Sequence, residues 1–360
     1  MKTYLLVIIL FLYNQLLSQN LFDEKFYDPA KSKIHEFNLE FNDTLNNYTT
    51  LPIIIVKGRN SGKVFTITAG VHGSELAPII ATQKLIAEIK PSELNGTLII
   101  LPITNIGAFY GYSPYINPLD KKNINRIFPG IRDGTVSEKI AHFIANKIIP
   151  LSDIFLDVHS GDLNEDLLPF VCYYENKNYP KQTKLAKELS EYSGFENVIS
   201  YPYTISNDEP AKYVFKQASQ SGKIALSFES GKLGYVQKES VDRIKRGYYR
   251  IFNKLGMYKY KDPKGDTKFQ ILKSPIYLKS NNRGILYTKL NVGDKIIKGQ
   301  KLGYMTNEFA RKIEDFYSPV SGIILYMLGV PATNINQTVF AISPKWNYYK
   351  LERFKDLNFI

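Results

Sequence analysis

Val64-Phe65-Thr66-Ile67-Thr68-Ala69-Gly70-Val71-His72-Gly73-Ser74-Glu75 runs from a β-branched apolar segment into a glycine-flanked His-x-x-Glu. Residues 64–68 read as a buried strand. Leu76-Ala77-Pro78-Ile79-Ile80 reads as the opening of a helix that stops before Pro91. Ser74 is the expected N-cap, and Pro78 is tolerable because it falls in the first turn. His72 and Glu75, three residues apart, are expected on one side of that turn. Gly70 and Gly73 let the backbone turn sharply. Imidazole nitrogen and carboxylate oxygen are both good zinc ligands, and catalytic zinc sites commonly take three protein ligands plus water. A lone His-x-x-Glu equally describes a hydrogen-bonded loop histidine, so the rest of the chain decides.

Working outward, Leu51–Val56 and Thr97–Pro102 are also strand-like, with helical patterns between strands. That alternation predicts an α/β fold: a mixed, mostly parallel central sheet with helices on both faces. In such sheets, sites gather at the carboxyl ends of strands. Asp153-Ile154-Phe155-Leu156-Asp157-Val158-His159-Ser160-Gly161 is a buried strand ending in a histidine, which makes His159 a third candidate ligand. Asp157 lies two residues earlier, on the same face, and suits the role of holding the other ring nitrogen. Lys223–Gly231 is another apolar strand, ending in Glu229. A carboxylate buried there is costly without a task, and a pKa raised by burial suits a general base. In the turn-rich stretch Asn123-Ile124-Asn125-Arg126-Ile127-Phe128-Pro129-Gly130, the planar fork of Arg126 is a natural partner for a substrate carboxylate, with Asn125 adding a donor and an acceptor.

Other polar residues read as structural. His35 is expected at the surface. His142 sits in the apolar stripe of a helix from Glu138 to about Ile149, capped by Ser137. Charged or basic helices are expected over 180–194 and 237–256. The net charge of +12 is spread among acids, with no basic block or aromatic-interleaved stripe, so a nucleic-acid face is not expected. Residues 1–18 have the positive start, apolar run and small-residue end of a secretory signal peptide. The mature protein is therefore expected to be secreted or periplasmic, with no membrane span after cleavage. The single cysteine, Cys172, excludes an internal disulfide framework and reads as buried.

Taken together, His72-x-x-Glu75, Asn125-Arg126 with Phe128-Pro129-Gly130, Asp157-x-His159, and Glu229 followed by Gly231 resemble the succinylglutamate desuccinylase/aspartoacylase family, a branch of the zinc carboxypeptidase-like fold. The resemblance spans residues 50–260. It implies that His72, Glu75 and His159 hold one zinc ion. Glu229 would take a proton from water and return one to the leaving amine. Asn125 and Arg126 would bind the carboxylate of a small-molecule substrate, an N-acyl amino acid or a C-terminal residue. Many members carry a further arginine about ten residues before the Asn-Arg pair; here the stretch is Tyr112-Ser113-Pro114-Tyr115, with Lys121 and Lys122 nearby.

The C-terminal part has short alternating runs punctuated by Gly284, Gly293, Gly299, Gly303 and Gly322, which suggests a small all-β barrel-like domain or sandwich. Its Leu290–Gly303 pattern resembles biotinyl/lipoyl-like barrels, but the tip carries no lysine to modify. It is expected to wall the site or to mediate homo-oligomerisation. The expected organisation is a leader (1–18), an N-terminal segment (19–50), a catalytic domain (51–262), the barrel-like domain (268–345) and a tail (346–360). The function expected is zinc-dependent amide hydrolysis of N-acyl amino acids. A metallocarboxypeptidase acting on peptides or cell-wall stem peptides, and a catalytically silent binding protein, are the alternatives.

Overall fold

The computed structural model describes residues 20–265, 267–344 and 346–349. The expected leader and most of the C-terminal tail lie outside the described residues. Helix α1 covers residues 20–27, followed by strands β1 (Lys33–Asn42), β2 (Tyr48–Lys57) and β3 (Asn60–Ala69). Next come α2 (Leu76–Glu88), β4 (Asn95–Leu101), the short α3 (Ile106–Tyr110) and α4 (Val136–Phe143). A π-helical turn (Ile144–Ile148) carries α4 into α5 (Ile149–Leu151). The catalytic half continues through β5 (Ile154–His159), β6 (Glu165–Leu167), β7 (Phe170–Glu175), α6 (Pro180–Tyr192), β8 (Asn197–Pro202), α7 (Val214–Gln220), β9 (Ile224–Glu229) and α8 (Lys238–Lys254). Strand β10 is Phe269–Lys273.

One ten-stranded sheet organises these elements, in the order β1-β2-β4-β3-β5-β9-β7-β8-β10-β19, where β19 is Trp346–Tyr349. Five of its nine neighbouring pairs are parallel: β4–β3, β3–β5, β5–β9, β7–β8 and β8–β10. The sheet is mixed, as the alternation predicts. Its central strands are apolar on both faces because helices cover both. On β2, Ile54 and Val56 join a core with Ala77, Leu85, Leu189, Ile244 and Phe252 from α2, α6 and α8. Ile53 and Ile55, pointing the other way, join a second core with Phe22, Ile140, Phe143, Val214 and Ala218 from α1, α4 and α7. The period-2 alternation of the strand thus splits its side chains between two cores.

The expected extents of two regions shift. β1, from the stretch 19–50, pairs with β2 over its full length, and β10, from the stretch 268–345, pairs with β8; both belong to the main sheet. The all-β part then starts at β11 (Ile276–Lys279). It contains β12 (Gly284–Tyr287), β13 (Lys295–Ile296), β14 (Lys301–Thr306), β15 (Lys312–Tyr317), β16 (Gly322–Leu328), β17 (Ala332–Thr333) and β18 (Thr338–Pro344). These strands pair as two separate sheets, β11-β18-β16-β13 and β15-β14-β12-β17, around Leu286, Met305, Phe316, Ile324 and Phe340. The pairing is that of two stacked sheets rather than one closed ring. β6, just after the third candidate ligand, adds to β16 through Leu167↔Tyr326, so the all-β part is stitched to the catalytic half at that point.

Three local expectations are corrected. Glu75, not Ser74, holds the N-cap position of α2, and it makes no side-chain cap. Thr135, not Ser137, precedes α4; its N–H donates to Glu138 at 2.9 Å, while the Ser137 hydroxyl bonds Asp120. The Ser74 hydroxyl is buried without a hydrogen-bond partner, and that of Ser137 answers to Asp120, earlier in the chain. His35 is not at the surface: it is only 7% exposed, on β1 beside Asp28. His142, half-buried, keeps a structural role, with Asn146 donating to its ring at 3.0 Å.

Burial, aided by the Lys33 charge, pushes the pKa of His35 below its ordinary value despite Asp28. A histidine with a lowered folded-state pKa stabilises the fold while neutral, above its unfolded pKa of about 6.5. That contribution is lost as pH falls through the folded value. Urea unfolding at pH 7 and pH 5 should show a larger loss of stability for the wild type than for His35→Gln; equal losses would mean that His35 titrates normally.

Candidate metal centre

The site grows from the ends of β3, β5 and β9, which lie side by side in register, with Thr68 opposite Asp157 and His159 opposite Glu229. After β3 the chain turns at Gly70, whose φ of +61° suits a residue without a side chain. Gly73 is required by space: a Cβ there would stand 2.4 Å from the Ala108 carbonyl carbon. The His72–Glu75 segment is therefore a tight loop before the helix, not its first turn. Asn105 braces it: Nδ2 donates to the Val71 carbonyl at 3.4 Å, and Oδ1 accepts from the Ala108 N–H, capping α3.

This loop aims Glu75 between two imidazoles. Its Oε1 lies 2.6 Å from His72 Nδ1, and its Oε2 lies 2.7 Å from His159 Nδ1. The Ser160 N–H adds a weaker bond to Oε2 at 3.3 Å. The other ring nitrogen of His159, Nε2, is 2.7 Å from Asp157 Oδ2, the arrangement expected from the Asp-x-His spacing. Asp157 Oδ1 in turn accepts from the Thr68 hydroxyl at 2.7 Å, wholly out of solvent. A chain of contacts therefore runs Thr68–Asp157–His159–Glu75–His72.

Burial alone would raise the Glu75 carboxyl, but His72 and His159 outweigh it and hold the pKa down at about 2. Burial alone would lower His159, yet Asp157 and Glu75 hold it well above its ordinary value. The group is thus a cation-seeking cluster in which carboxylate charge exceeds what the rings balance. His72, Glu75 and His159 each offer one donor atom, all within 4.8 Å of one another. Two imidazole nitrogens and a carboxylate at such spacing fit a single ion about 2 Å from each, and Asp157 fixes the ring orientation of His159 as an outer partner of a ligand histidine would. The donor set therefore fits the zinc ion expected from the sequence.

Glu229 ends β9, half-buried beside this cluster. Burial pushes its pKa well up, and the neighbouring Glu75, Glu165 and Asp157 charges push it further against His159. Two acids that sequence reasoning missed join it. Burial together with Asp162 and Glu75 pushes Glu165 up to about 8, and burial raises Asp162 as well. Their only sequence signal is a pair of acids three apart just after a strand-end histidine. From the all-β part, the Tyr326 phenol is pushed up by burial and by the nearby Glu165, Asp162 and Tyr115.

Asn125 is buried, and its Oδ1 accepts from the Val214 N–H at 2.9 Å, leaving the amide nitrogen as its free donor. Arg126 is exposed; it stacks over Tyr213 at 4.7 Å and donates to the Asn125 carbonyl at 2.7 Å. The stretch where an upstream arginine would stand instead brings the Tyr115 ring to 6.2 Å from that of His72. Lys122 is committed to Glu138 at 2.7 Å. Cys172 is buried, as expected.

Comparison with known proteins agrees with this geometry. The family model described as "Succinylglutamate desuccinylase/Aspartoacylase catalytic domain" matches residues 61–255. The chain is 28% identical over 301 residues to N-alpha-acetyl-L-2,4-diaminobutyric acid deacetylase of Halomonas elongata, covering 81% of this chain and 85% of that protein. Among solved structures, a succinylglutamate desuccinylase/aspartoacylase from Rhodobacter sphaeroides superposes with a TM-score of 0.79 at 22% identity, covering 89% of this chain and 97% of that one. The product-bound ectoine utilization protein EutE of Ruegeria pomeroyi gives 0.77 at 21% identity, covering 88% and 97%.

Loss of an outer partner of a metal-bound histidine typically costs about 10–100-fold in metal affinity. Chelator competition should therefore show zinc bound about 10–100-fold more weakly by Asp157→Ala than by the wild type. Thr68→Val should weaken it less, and Thr68→Ser should restore it. Unchanged affinity in both Asp157→Ala and Thr68→Val would disconnect this chain of contacts from the metal.

Proposed function

This chain belongs to the succinylglutamate desuccinylase/aspartoacylase family, and from that premise we propose that it is a zinc-dependent deacylase that hydrolyses the amide bond of N-acyl amino acids. The observation that carries the reading is the register of His159 with Glu229, which sets a carboxylate of raised pKa beside the His72–Glu75–His159 donor set. When bound there, zinc would lower the pKa of water to about 7 and polarise the amide carbonyl.

The protein's own groups do the rest. Glu229 accepts a proton as the water oxygen bonds to the carbonyl carbon. It then delivers that proton to the nitrogen as the C–N bond breaks, leaving a free amine and a carboxylic acid, which releases the second water proton as it ionises. Its raised pKa lets it hold the proton between the two steps. Asp157 and Thr68 keep the His159 ring from rotating. Arg126 and the Asn125 amide receive the substrate carboxylate, the guanidinium by a two-point contact.

Asp162 and Glu165 refine the substrate class. Both carboxyls are raised by burial first and then by the charge of neighbouring acids, Glu75 among them. A substrate with a cationic side chain would relieve that repulsion, and diaminobutyric acid, in the name of the Halomonas elongata relative, is such an amine. The β6–β16 pairing, which sets the all-β part beside the site, favours small N-acyl amino acids over peptides. The leader-like residues 1–18 are the sequence feature that supports a reaction outside the cytoplasm.

Glu229→Gln should retain substrate binding while turnover falls at least about 10²–10⁴-fold. The assay is release of free amino acid, read by mass spectrometry, from N-acetyl and N-succinyl amino acids beside short peptides. N-acetyl-2,4-diaminobutyrate and N-acetyl-lysine should outrun N-acetyl-aspartate, and zinc chelation should abolish the activity reversibly. Undiminished turnover in Glu229→Gln would remove the base from its role; release of C-terminal residues from peptides alone would make the enzyme a carboxypeptidase; silence across the panel with zinc bound would favour a binding protein.

A further inference from the structure

A cavity of about 540 Å³ lies outside the His72–Glu75–His159 cluster, between the start of α8 and the beginnings of β8 and β10. β7 runs antiparallel to β9, and β8 and β10 run parallel to β7 and β8. The cavity therefore opens on the same edge of the sheet as Glu229, two to three strands along.

Its charge is unusual. Arg243, Arg246, Lys264 and Lys268 line it against two acids, Glu196 and Glu239. Both acids are exposed, and among the described residues neither forms an ion pair with the two arginines. The half-buried Arg243 makes one hydrogen bond, Nη1 to the Ser230 hydroxyl at 3.3 Å. Arg246 gives Nη2 to the Gly194 carbonyl at 3.2 Å, while its Nε is buried without a hydrogen-bond partner, 3.7 Å from Asp262. Asp262 is already engaged by Arg250 at 2.7 Å. Gln270, which also lines the cavity and is 7% exposed, donates to Asn197 but leaves Oε1 without a donor.

A desolvated guanidinium without a carboxylate retains unused N–H groups in a fixed fork that matches oxyanion geometry. The Arg243 fork, the Arg246 guanidinium held only at 3.7 Å from Asp262, and two lysines around one cavity are the donor set of an anion site, while the free Gln270 Oε1 is an acceptor. We infer that this cavity binds a small, doubly charged oxyanion of the phosphate type, separately from the substrate carboxylate at Asn125 and Arg126. The Ser230–Arg243 bond places it one residue from Glu229, so an anion that draws on the Arg243 fork acts next to the catalytic strand end.

The test is isothermal titration of inorganic phosphate into the metal-loaded full chain, with succinate and sulfate as parallel titrants. Saturable phosphate binding should persist in Arg126→Ala. It should weaken about tenfold or more in Arg243→Gln and in Arg246→Gln, with partial recovery in Arg243→Lys. Lys268→Gln alters an exposed residue, leaves the fold intact, and should weaken binding severalfold. Preference for succinate over phosphate would make the ligand a dicarboxylate at the same site and would overturn the phosphate assignment. Absence of saturable binding at millimolar phosphate, or binding lost in Arg126→Ala and unchanged in Lys268→Gln and Arg243→Gln, would overturn the site itself.

Discussion

The Glu75 carboxylate, shared between two imidazoles, is the contact on which the rest of the site depends. Both of its oxygens are used, at 2.6 and 2.7 Å, in a place almost closed to water. An ionised carboxylate in such surroundings persists only if cationic or strongly donating partners surround it. The two histidines are those partners, and they come from different strands: His72 from the turn after β3, His159 from the last residue of β5. The contact therefore exists only if β3 and β5 are parallel neighbours in the register they adopt. A one-residue slip of β5 would send Asp157 and His159 to the opposite face.

That dependence explains which parts were legible in the sequence. Strand-end placement of His72, His159 and Glu229 followed from apolar runs that stop at a polar residue, and the Asp157–His159 relation followed from a period of two. Membership of the family followed from the combined motif. What failed to show were features set by distant contacts. Thr68 looks like any β-branched strand residue; only its pairing with Asp157 across two strands gives its hydroxyl a task. His35 looks like a polar residue in a mixed segment, but full-length pairing of β1 with β2 places it beside α1 and Asp28. Ser74 and Ser137 satisfied a local capping rule, while the helices began where the Gly73 packing and the Thr135–Glu138 contact dictated.

The all-β part shows the same limit. Glycine-punctuated alternation indicates strands and turns, but not which strands pair. Here β10 and β19 leave for the main sheet and β6 enters from the catalytic half, so the sheets exchange strands in both directions. Backbone hydrogen bonds across β6 and β16 couple the two parts more firmly than side-chain contact would. The consequence is local: Asp162 lies in the few residues between His159 and that pairing and Glu165 is the first residue within it, opposite Leu328, so the junction itself carries the acids beside the site.

The acids and the absent upstream arginine then belong to one electrostatic argument. An arginine near His72 would neutralise Glu165 and Asp162 and lower both carboxyls, since an opposite charge within a few ångströms favours the ionised form. In its place stands Tyr115, which carries no charge, and both carboxyls remain raised. With its pKa at about 8, Glu165 is mostly protonated at neutral pH, so the side facing β6 and β16 offers a carboxyl that ionises when a cation arrives, whereas Arg126 carries positive charge on the other loop. A cation beside these acids would favour their ionised form, and a second carboxylate there would raise both further. An uncharged Tyr115 beside His72 and two buried acids beside Glu75 act in the same direction, since each leaves the carboxyls of Asp162 and Glu165 raised.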